Sequence, residues 1–212
     1  VWKSGYLLDD IPDELKTYEM CFAAVKHYGY LLEHVPDKFK TPDLCLRAVK
    51  NAGSALEYVP DALKTPEMCL KAVKNNGFAL AYVPDNLKTY KLCREAVRVE
   101  DCGAALEYIP EELKTYELCW DALTTDGRAL EFVPDALKPD LCSDVRVIYD
   151  AFEFVPDALK TPKLCLEVMH KNGAALEFVP NHLKTREICL AAVMQSSDAL
   201  KFVPEELNTE IC

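Results

Sequence analysis

The sequence is poor in positive charge and has no long apolar run. Lysine and arginine total 24 against 35 aspartates and glutamates, so the net charge is −11. A nucleic-acid backbone and an anionic membrane surface both favour a basic protein surface, so this charge balance argues against both partners. No stretch approaches the roughly 18 consecutive apolar residues of a membrane span, which argues against an integral membrane protein.

The chain also lacks the short motifs of common catalytic, nucleotide and metal sites. No GxGxxG or GxxxxGK[ST] phosphate loop occurs, and the ten cysteines show no CxxC or CxxH spacing for zinc or an iron–sulfur cluster. The four histidines lie at different positions of the repeat described below and have no nucleophile at a catalytic spacing. We therefore predict no enzyme activity, with no catalytic residue, metal or cofactor in this chain.

What the sequence does contain is one phrase repeated along its whole length. At 55–65 the phrase reads ALEYVPDALKT, and its proline occurs nine times, at Pro12, Pro36, Pro60, Pro84, Pro110, Pro134, Pro156, Pro180 and Pro204. The intervals between these prolines are 24, 24, 24, 26, 24, 22, 24 and 24 residues. A fixed period of this length is typical of a solenoid, in which neighbouring repeats build the core together.

Within one repeat, the pattern predicts a regular helix followed by shorter helical turns. Thr65 is a good N-cap, Pro66 suits the first helical position, and residues 68–73 carry a continuous apolar face. Gly77 occupies the position that all seven glycines share and predicts a left-handed helix C-terminus. A proline such as Pro60 ends the segment before it, so the flanking segments are expected to be short and partly 3₁₀.

These patterns predict an all-α fold: an α-solenoid of about eight to nine 24-residue repeats, each one α-helix plus a short α/3₁₀ segment, wound as a superhelix. We assign 1–212 to a single repeat array, an excerpt of a longer one, because neither end shows the polar cap that solenoids need. Two repeats are irregular. The segment 98–103 carries two extra residues, and 139–154 has lost two residues and has no glycine.

Nine of the ten cysteines fall eight or nine residues after the repeat proline. Equivalent residues of stacked helices lie about 8–10 Å apart, whereas a disulfide needs Cα atoms within about 7 Å. We therefore predict unpaired, buried thiols and a reducing, cytoplasmic compartment, with delivery into a host cytosol left open. A structural role is assigned to Cys21, Cys45, Cys69, Cys93, Cys119, Cys142, Cys165, Cys189, Gly53, Gly77, Pro60 and Pro84.

Acidic residues stand three positions before most repeat prolines. Equivalent positions of a solenoid line up, so these carboxylates predict a stripe along one face. Two interpretations stay open: a solvated edge paired with neighbouring lysines, or a docking strip for a basic partner. A lysine stands four residues after eight of the nine repeat prolines and is interpreted as the partner of the acid one residue after the proline. The glutamate stripe consists of Glu33, Glu57, Glu107, Glu131, Glu153 and Glu177.

The position after each repeat cysteine varies most, so core packing does not dictate it. It is Arg94 in one repeat, Trp120 in the next and Ser143 in the irregular one, whereas most other repeats have leucine. Trp120 is a candidate interface anchor because it lies beside charged positions, with packing against the adjacent repeat as the alternative. Arg146 stands where most repeats have valine. Arg94, Trp120 and Arg146 therefore join the glutamate stripe as the candidate binding surface.

The consensus T-[P/Y]-E-L-C-L-x-A-V-K-x-x-G-x-A-L-E-Y-V-P-D-x-L-K resembles the tandem repeats catalogued as domain of unknown function 4116, found in bacterial and some other microbial proteins. The likeness covers essentially the whole chain and depends on phrases such as AVKNNGFALAYVP at 72–84. It implies helical repeats and no established activity. The period is also similar to that of the leucine-rich repeat variant, whose iron–sulfur cysteines have no counterpart here.

We predict a non-catalytic helical-repeat scaffold that mediates protein–protein interaction. Its partner would be another protein, basic if the glutamate stripe binds it, or another domain of the same chain. One alternative is an acidic mimic that binds a basic or nucleic-acid-binding target. A second alternative is the substrate-recruiting arm of an enzyme or effector whose catalytic domain lies outside this segment. We expect neither a nucleic-acid backbone nor a membrane as partner.

Overall fold

A computed structural model describes residues 8–149 and 151–207, and the chain divides between Thr125 and Asp126 into two compact units. Every regular element in these residues is an α-helix or a 3₁₀-helix, so the predicted all-α repeat fold is confirmed. One repeat consists of an α-helix, a six-residue 3₁₀-helix and a three-residue 3₁₀-helix. The assignment of 1–212 to a single array stays a prediction.

Unit 1 extends to Thr125 and contains five of these α-helices. They are α1 (Tyr18–His27), α2 (Pro42–Asn51), α3 (Pro66–Asn75), α4 (Tyr90–Val97) and α5 (Tyr116–Thr125). The 3₁₀-helices of this unit are Gly29–His34, Asp37–Phe39, Gly53–Tyr58, Asp61–Leu63, Gly77–Tyr82, Asp85–Leu87, Gly103–Tyr108 and Glu111–Leu113.

Unit 2 begins at Asp126 and holds the strongly irregular repeat. Its α-helices are α6 (Lys138–Cys142), α7 (Val145–Ile148), α8 (Pro162–Met169) and α9 (Arg186–Gln195). The 3₁₀-helices are Gly127–Phe132, Phe152–Phe154, Asp157–Leu159, Gly173–Phe178, Asn181–Leu183 and Ser197–Phe202.

The regular α-helices begin where their threonines and prolines predict. The Thr65 hydroxyl accepts a hydrogen bond from the backbone N–H of Met68 at 3.2 Å, and Pro66 occupies the first turn, where a missing N–H costs nothing. One face of α3 is buried, with Cys69 and Ala72 fully inaccessible. Leu56 of the preceding 3₁₀-helix and Val59, directly after that helix, are also buried. Each repeat therefore contributes one apolar face from its α-helix and another from its 3₁₀ segment.

The prediction of a left-handed helix end at the repeat glycine is wrong. No described glycine has a positive φ, and α3 ends instead through Asn76 in an extended conformation. Glycine is needed because neighbouring repeats approach each other there. A Cβ on Gly53 would lie well inside contact distance of the Ala72 carbonyl oxygen and 3.0 Å from the Asn76 nitrogen. The glycine permits close packing between repeats rather than a turn.

The repeat at 139–154 has lost the threonine that starts a regular helix. The helix α6 has no side-chain cap and begins directly from Leu137, whose backbone is already helical. It ends after five residues. The chain then starts α7, where the Asp144 carboxylate accepts a hydrogen bond from the Arg146 N–H at 2.9 Å. One ten-residue helix is thus replaced by two short ones.

The insertion at 98–103 also changes a helix end. The helix α4 stops at Val97, and Asp101 adopts a left-handed conformation with φ of 58°. Cys102 then turns inward and is 7% exposed. A Cβ on Gly77 would lie 2.6 Å from the Cys102 Cβ. The extra residues therefore fill the space beside the preceding repeat.

Candidate interaction surface

The lysine four residues after a repeat proline joins its repeat to the next in several places, through a hydrogen bond to a backbone carbonyl 18 residues later from Lys16, Lys64, Lys160 and Lys184. Lys64 Nζ lies 2.8 Å from the Asp61 carboxylate and donates to the Tyr82 carbonyl oxygen at 2.8 Å. These lysines are mostly covered; Lys16 and Lys160 are only 7% and 8% exposed. The expected acid–lysine pairs are confirmed as Lys16–Asp13, Lys40–Asp37, Lys64–Asp61, Lys88–Asp85, Lys114–Glu111, Lys138–Asp135 and Lys160–Asp157.

An amide side chain near the end of some α-helices makes a second connection between repeats. Asn51 Oδ1 accepts a hydrogen bond from the Gly29 N–H at 2.7 Å, while its Nδ2 donates to the His27 carbonyl oxygen at 3.3 Å. Asn75 Oδ1 accepts in the same way from the Gly53 N–H at 2.6 Å. The sequence pattern did not predict this contact, although an amide recurs 22 residues after Gly29, Gly53 and Gly173.

The repeat cysteines are buried and make no disulfide in the described residues. Burial raises the pKa of Cys45, Cys93, Cys119 and Cys142 to about 11 from an ordinary value of about 9. These thiols therefore stay protonated near neutral pH and are poor nucleophiles. No cluster of three or more metal-ligating side chains occurs in the residues that the structure describes. Every helix within 8–149 and 151–207 is too short or too polar to cross a bilayer.

All six members of the glutamate stripe are exposed. No ion pair joins them to a lysine or arginine within the described parts of the chain, because the nearby lysines pair with the acid after proline instead. The phenol of Tyr82 interacts with Glu57. The pKa of Tyr82 is raised above its ordinary value, mainly by burial and also by a hydrogen bond to Glu57 and the negative charge of Glu57. The stripe thus lies at the surface.

Arg94 and Trp120 lie on the neighbouring helices α4 and α5. Arg94 Nε donates to the Asp121 carboxylate at 2.5 Å, and Arg98 Nε lies 3.2 Å from the same carboxylate. Trp120 is half-buried and stacks on Tyr116, with ring centroids 6.2 Å apart. These contacts hold α4 against α5 and fix the tryptophan ring, which stays partly accessible.

Arg146 lies far from Arg94 in sequence and belongs to the irregular repeat. Its side chain is 75% exposed and forms a two-point contact with Asp144, with Nε donating at 2.9 Å. The side-chain hydrogen bond to Arg146 is the main cause that lowers the pKa of Asp144. Arg146 therefore supports the capped start of α7 while its outer surface stays accessible.

Comparison with known proteins agrees with the repeat pattern. A family model described as Domain of unknown function (DUF4116) matches five segments, at 17–64, 41–88, 65–114, 91–138 and 162–208. A search of curated proteins found no match to the chain. The segment 139–161, which contains the irregular repeat, lies outside the five matches. Because the matched segments cover most of the chain, the protein belongs to the DUF4116 family of tandem helical repeats.

Proposed function

We propose that this chain is a non-catalytic scaffold that binds a basic surface of another protein, or of another domain of its own chain, through the glutamate stripe. The observation that carries the proposal is that two sets of polar groups differ in their environment. The repeat lysines, several amides and the thiols are buried or engaged between repeats. The six stripe carboxylates are exposed and lack a cationic partner in the described residues.

The repeat geometry supports binding in two ways. Each glutamate stands one residue before the last residue of its 3₁₀-helix, and the packed repeats hold that helix in place. A rigid backbone reduces the conformational entropy that binding removes. Like charges at regular positions also attract an oppositely charged partner over distance and raise the association rate, an effect that salt weakens.

An acidic mimic of nucleic acid is a second candidate, because the same exposed carboxylates and the net charge of −11 support it. The two functions differ in the target. A mimic would compete with nucleic acid for its partner, whereas a scaffold would leave the partner's nucleic-acid binding intact. A recruiting arm would bind like a scaffold, with catalysis supplied by another domain. We propose a reducing compartment for all three, because the thiols of the described residues are unpaired.

The test compares two variants that lose the same charge. Immobilised protein is incubated with cell lysate at low and high salt, and captured proteins are quantified by mass spectrometry. The stripe variant carries Glu57→Gln, Glu107→Gln and Glu177→Gln. The control variant carries Glu19→Gln, Asp43→Asn and Glu187→Gln, which are exposed carboxylates in the first turns of α-helices.

We expect at least one basic protein to bind the wild type and the control, to be lost from the stripe variant, and to dissociate as salt rises. Glutamine retains the acceptor oxygen for the neighbouring tyrosine, so the stripe variant should melt like the wild type. Equal capture by the stripe variant and the control would show that the glutamate stripe is not the binding surface. Purified partner added back with and without nucleic acid then separates the scaffold from the mimic.

A further inference from the structure

A groove opens beside the irregular repeat, between the end of α6 and the first turns of α8. Its volume is about 270 Å³. A corresponding groove between α2 and α3, lined largely by the same repeat positions, has a volume of about 180 Å³. The irregular repeat therefore widens a groove that a regular pair of helices has in narrower form.

The position after the repeat cysteine accounts for much of this widening. In the narrower groove it is Leu46, which is half-buried and forms part of the wall. In the wider groove it is Ser143, whose hydroxyl donates to the Asp140 carbonyl oxygen of its own helix at 2.7 Å. The serine is thus turned toward its own backbone. The space of a leucine side chain is left open.

The walls of the wider groove are largely apolar. Cys142 and Leu164 form its floor and are only 2% and 6% exposed. Leu159 and Pro139 flank them. An aliphatic side chain placed here would leave water for an apolar surface without burying an unpaired polar group.

The rim carries an exposed cation. Lys163 and Glu167 both line the groove; the Lys163 side chain is 87% exposed, and its Nζ lies 3.9 Å from the Glu167 carboxylate. At the narrower groove the order of charges is reversed, with Glu67 on the rim and Lys71 paired to it at 2.9 Å. The loosely paired ammonium of Lys163 fits a carboxylate on whatever fills the wider groove.

We propose that this groove binds a leucine-sized aliphatic side chain from a partner protein, in a segment that places a carboxylate next to that side chain for Lys163. The site uses the proposed scaffold function but lies on residues outside the glutamate stripe. The groove would select a partner segment with a negative charge, whereas the glutamate stripe would select a positively charged surface. The array would then present two binding surfaces of different chemistry.

The test selects binders from a display library of random short peptides. Selection uses the wild type, with counter-selection on Ser143→Leu, which restores the side chain that most repeats have there and should fold. We expect enriched peptides with leucine, isoleucine or methionine next to aspartate or glutamate. Their affinity should fall about tenfold or more for Ser143→Leu, because the aliphatic pocket is filled.

Two further variants separate this site from the glutamate stripe. Lys163→Glu should weaken binding of the acidic peptides and favour peptides with lysine or arginine beside the aliphatic residue. The stripe variant should bind the selected peptides as the wild type does, even if the proposed basic partner is lost. The proposal is overturned if no peptide distinguishes wild type from Ser143→Leu. It is also overturned if the selected peptides lack an aliphatic residue or require the stripe.

Discussion

The repeat that contains α3 and the repeat that contains α6 and α7 start from almost the same sequence and differ in outcome. The first runs from VPDALKTPEMC and forms a capped helix of ten residues. The second runs from VPDALKPDLC, without the threonine, and forms helices of five and four residues. The repeat cysteine is buried in both, at 0% exposure for Cys69 and 2% for Cys142.

This comparison shows that the repeat has separable parts. The inner face, with its cysteine and aliphatic residues, is kept when the helix is broken. The outer position after the cysteine and the cap are not kept. The groove beside the irregular repeat has a volume of about 270 Å³, whereas the groove between the regular helices α2 and α3 has a volume of about 180 Å³. Packing between repeats therefore constrains one face, while the other face can change shape and charge without loss of the core.

The largest effect is expected from charge on the inner face. Cys69 is fully buried, so Cys69→Asp would place a carboxylate among apolar side chains without a partner. We expect a loss of about 3 kcal/mol in the free energy of unfolding. The measurement is urea unfolding followed by far-UV circular dichroism.

Glu57→Lys provides the opposite case on the outer face. It reverses the charge of an exposed side chain, so the unfolding free energy should change by less than about 0.5 kcal/mol. If Glu57→Lys were more destabilising than Cys69→Asp, our assignment of inner and outer faces would be incorrect.

The next effect concerns the close approach of neighbouring repeats. Gly53→Ala would bring a methyl group against the backbone of the following helix, at the Ala72 carbonyl and the Asn76 nitrogen. We expect a loss of about 2 kcal/mol. The melting temperature of the variant, compared with that of the wild type, tests this loss of stability.

The matched control is Ser197→Ala, at the same position of another repeat, where the side chain is exposed. It should change the stability by less than about 0.5 kcal/mol. Equal melting temperatures for Gly53→Ala and the wild type would show that the contact relaxes without cost and that glycine is not needed there.

The sequence predicts the features that depend on one repeat alone. The N-cap at Thr65, the apolar face of α3 and the short range Lys64–Asp61 pair all follow from spacing within a few residues. Contacts between repeats were harder to predict. The role of Gly53 depends on a carbonyl 19 residues later, and the partner of Arg94 is an aspartate 27 residues later. Such contacts require the stacking geometry, which the period alone does not supply.

The inner face predicts that stability depends on alkaline pH equally in a regular repeat, here that of α2, and in the irregular repeat. The pKa of Cys45 in a regular repeat and that of Cys142 in the irregular repeat are both raised to about 11 from about 9. A raised pKa means that the folded state holds its proton more tightly. Each thiol therefore contributes stability below about pH 9 that is lost as the pH rises toward 11, at about 1.4 kcal/mol per pH unit.

Cys45→Ala and Cys142→Ala isolate these contributions from the tyrosines and lysines that titrate in the same range. Unfolding free energies are measured from about pH 8 to about pH 10.5, a range that spans the ordinary pKa of a thiol. They should fall with pH less steeply in each variant than in the wild type, and the reduction in slope should be similar for the two variants. A reduced slope for only one variant would show that the two repeats do not bury their cysteines alike.

The smallest effect is also the most direct test of what distinguishes the two repeats. Insertion of a threonine between Lys138 and Pro139 restores the regular sequence KTPDLC, and its hydroxyl can cap the N–H of Leu141. Insertion of an alanine at the same place gives the same length without a cap. We expect the threonine insertion to be more stable than the alanine insertion by about 1 kcal/mol. Thr65→Ala in the regular repeat should lose a similar amount of stability.

Equal stability of the two insertions would mean that α6 is short because of packing around Phe152 and Ile148, which are buried in its repeat. The lost threonine would then be a consequence of this packing. A threonine insertion that behaves as expected would make the missing cap the cause of the short helix α6.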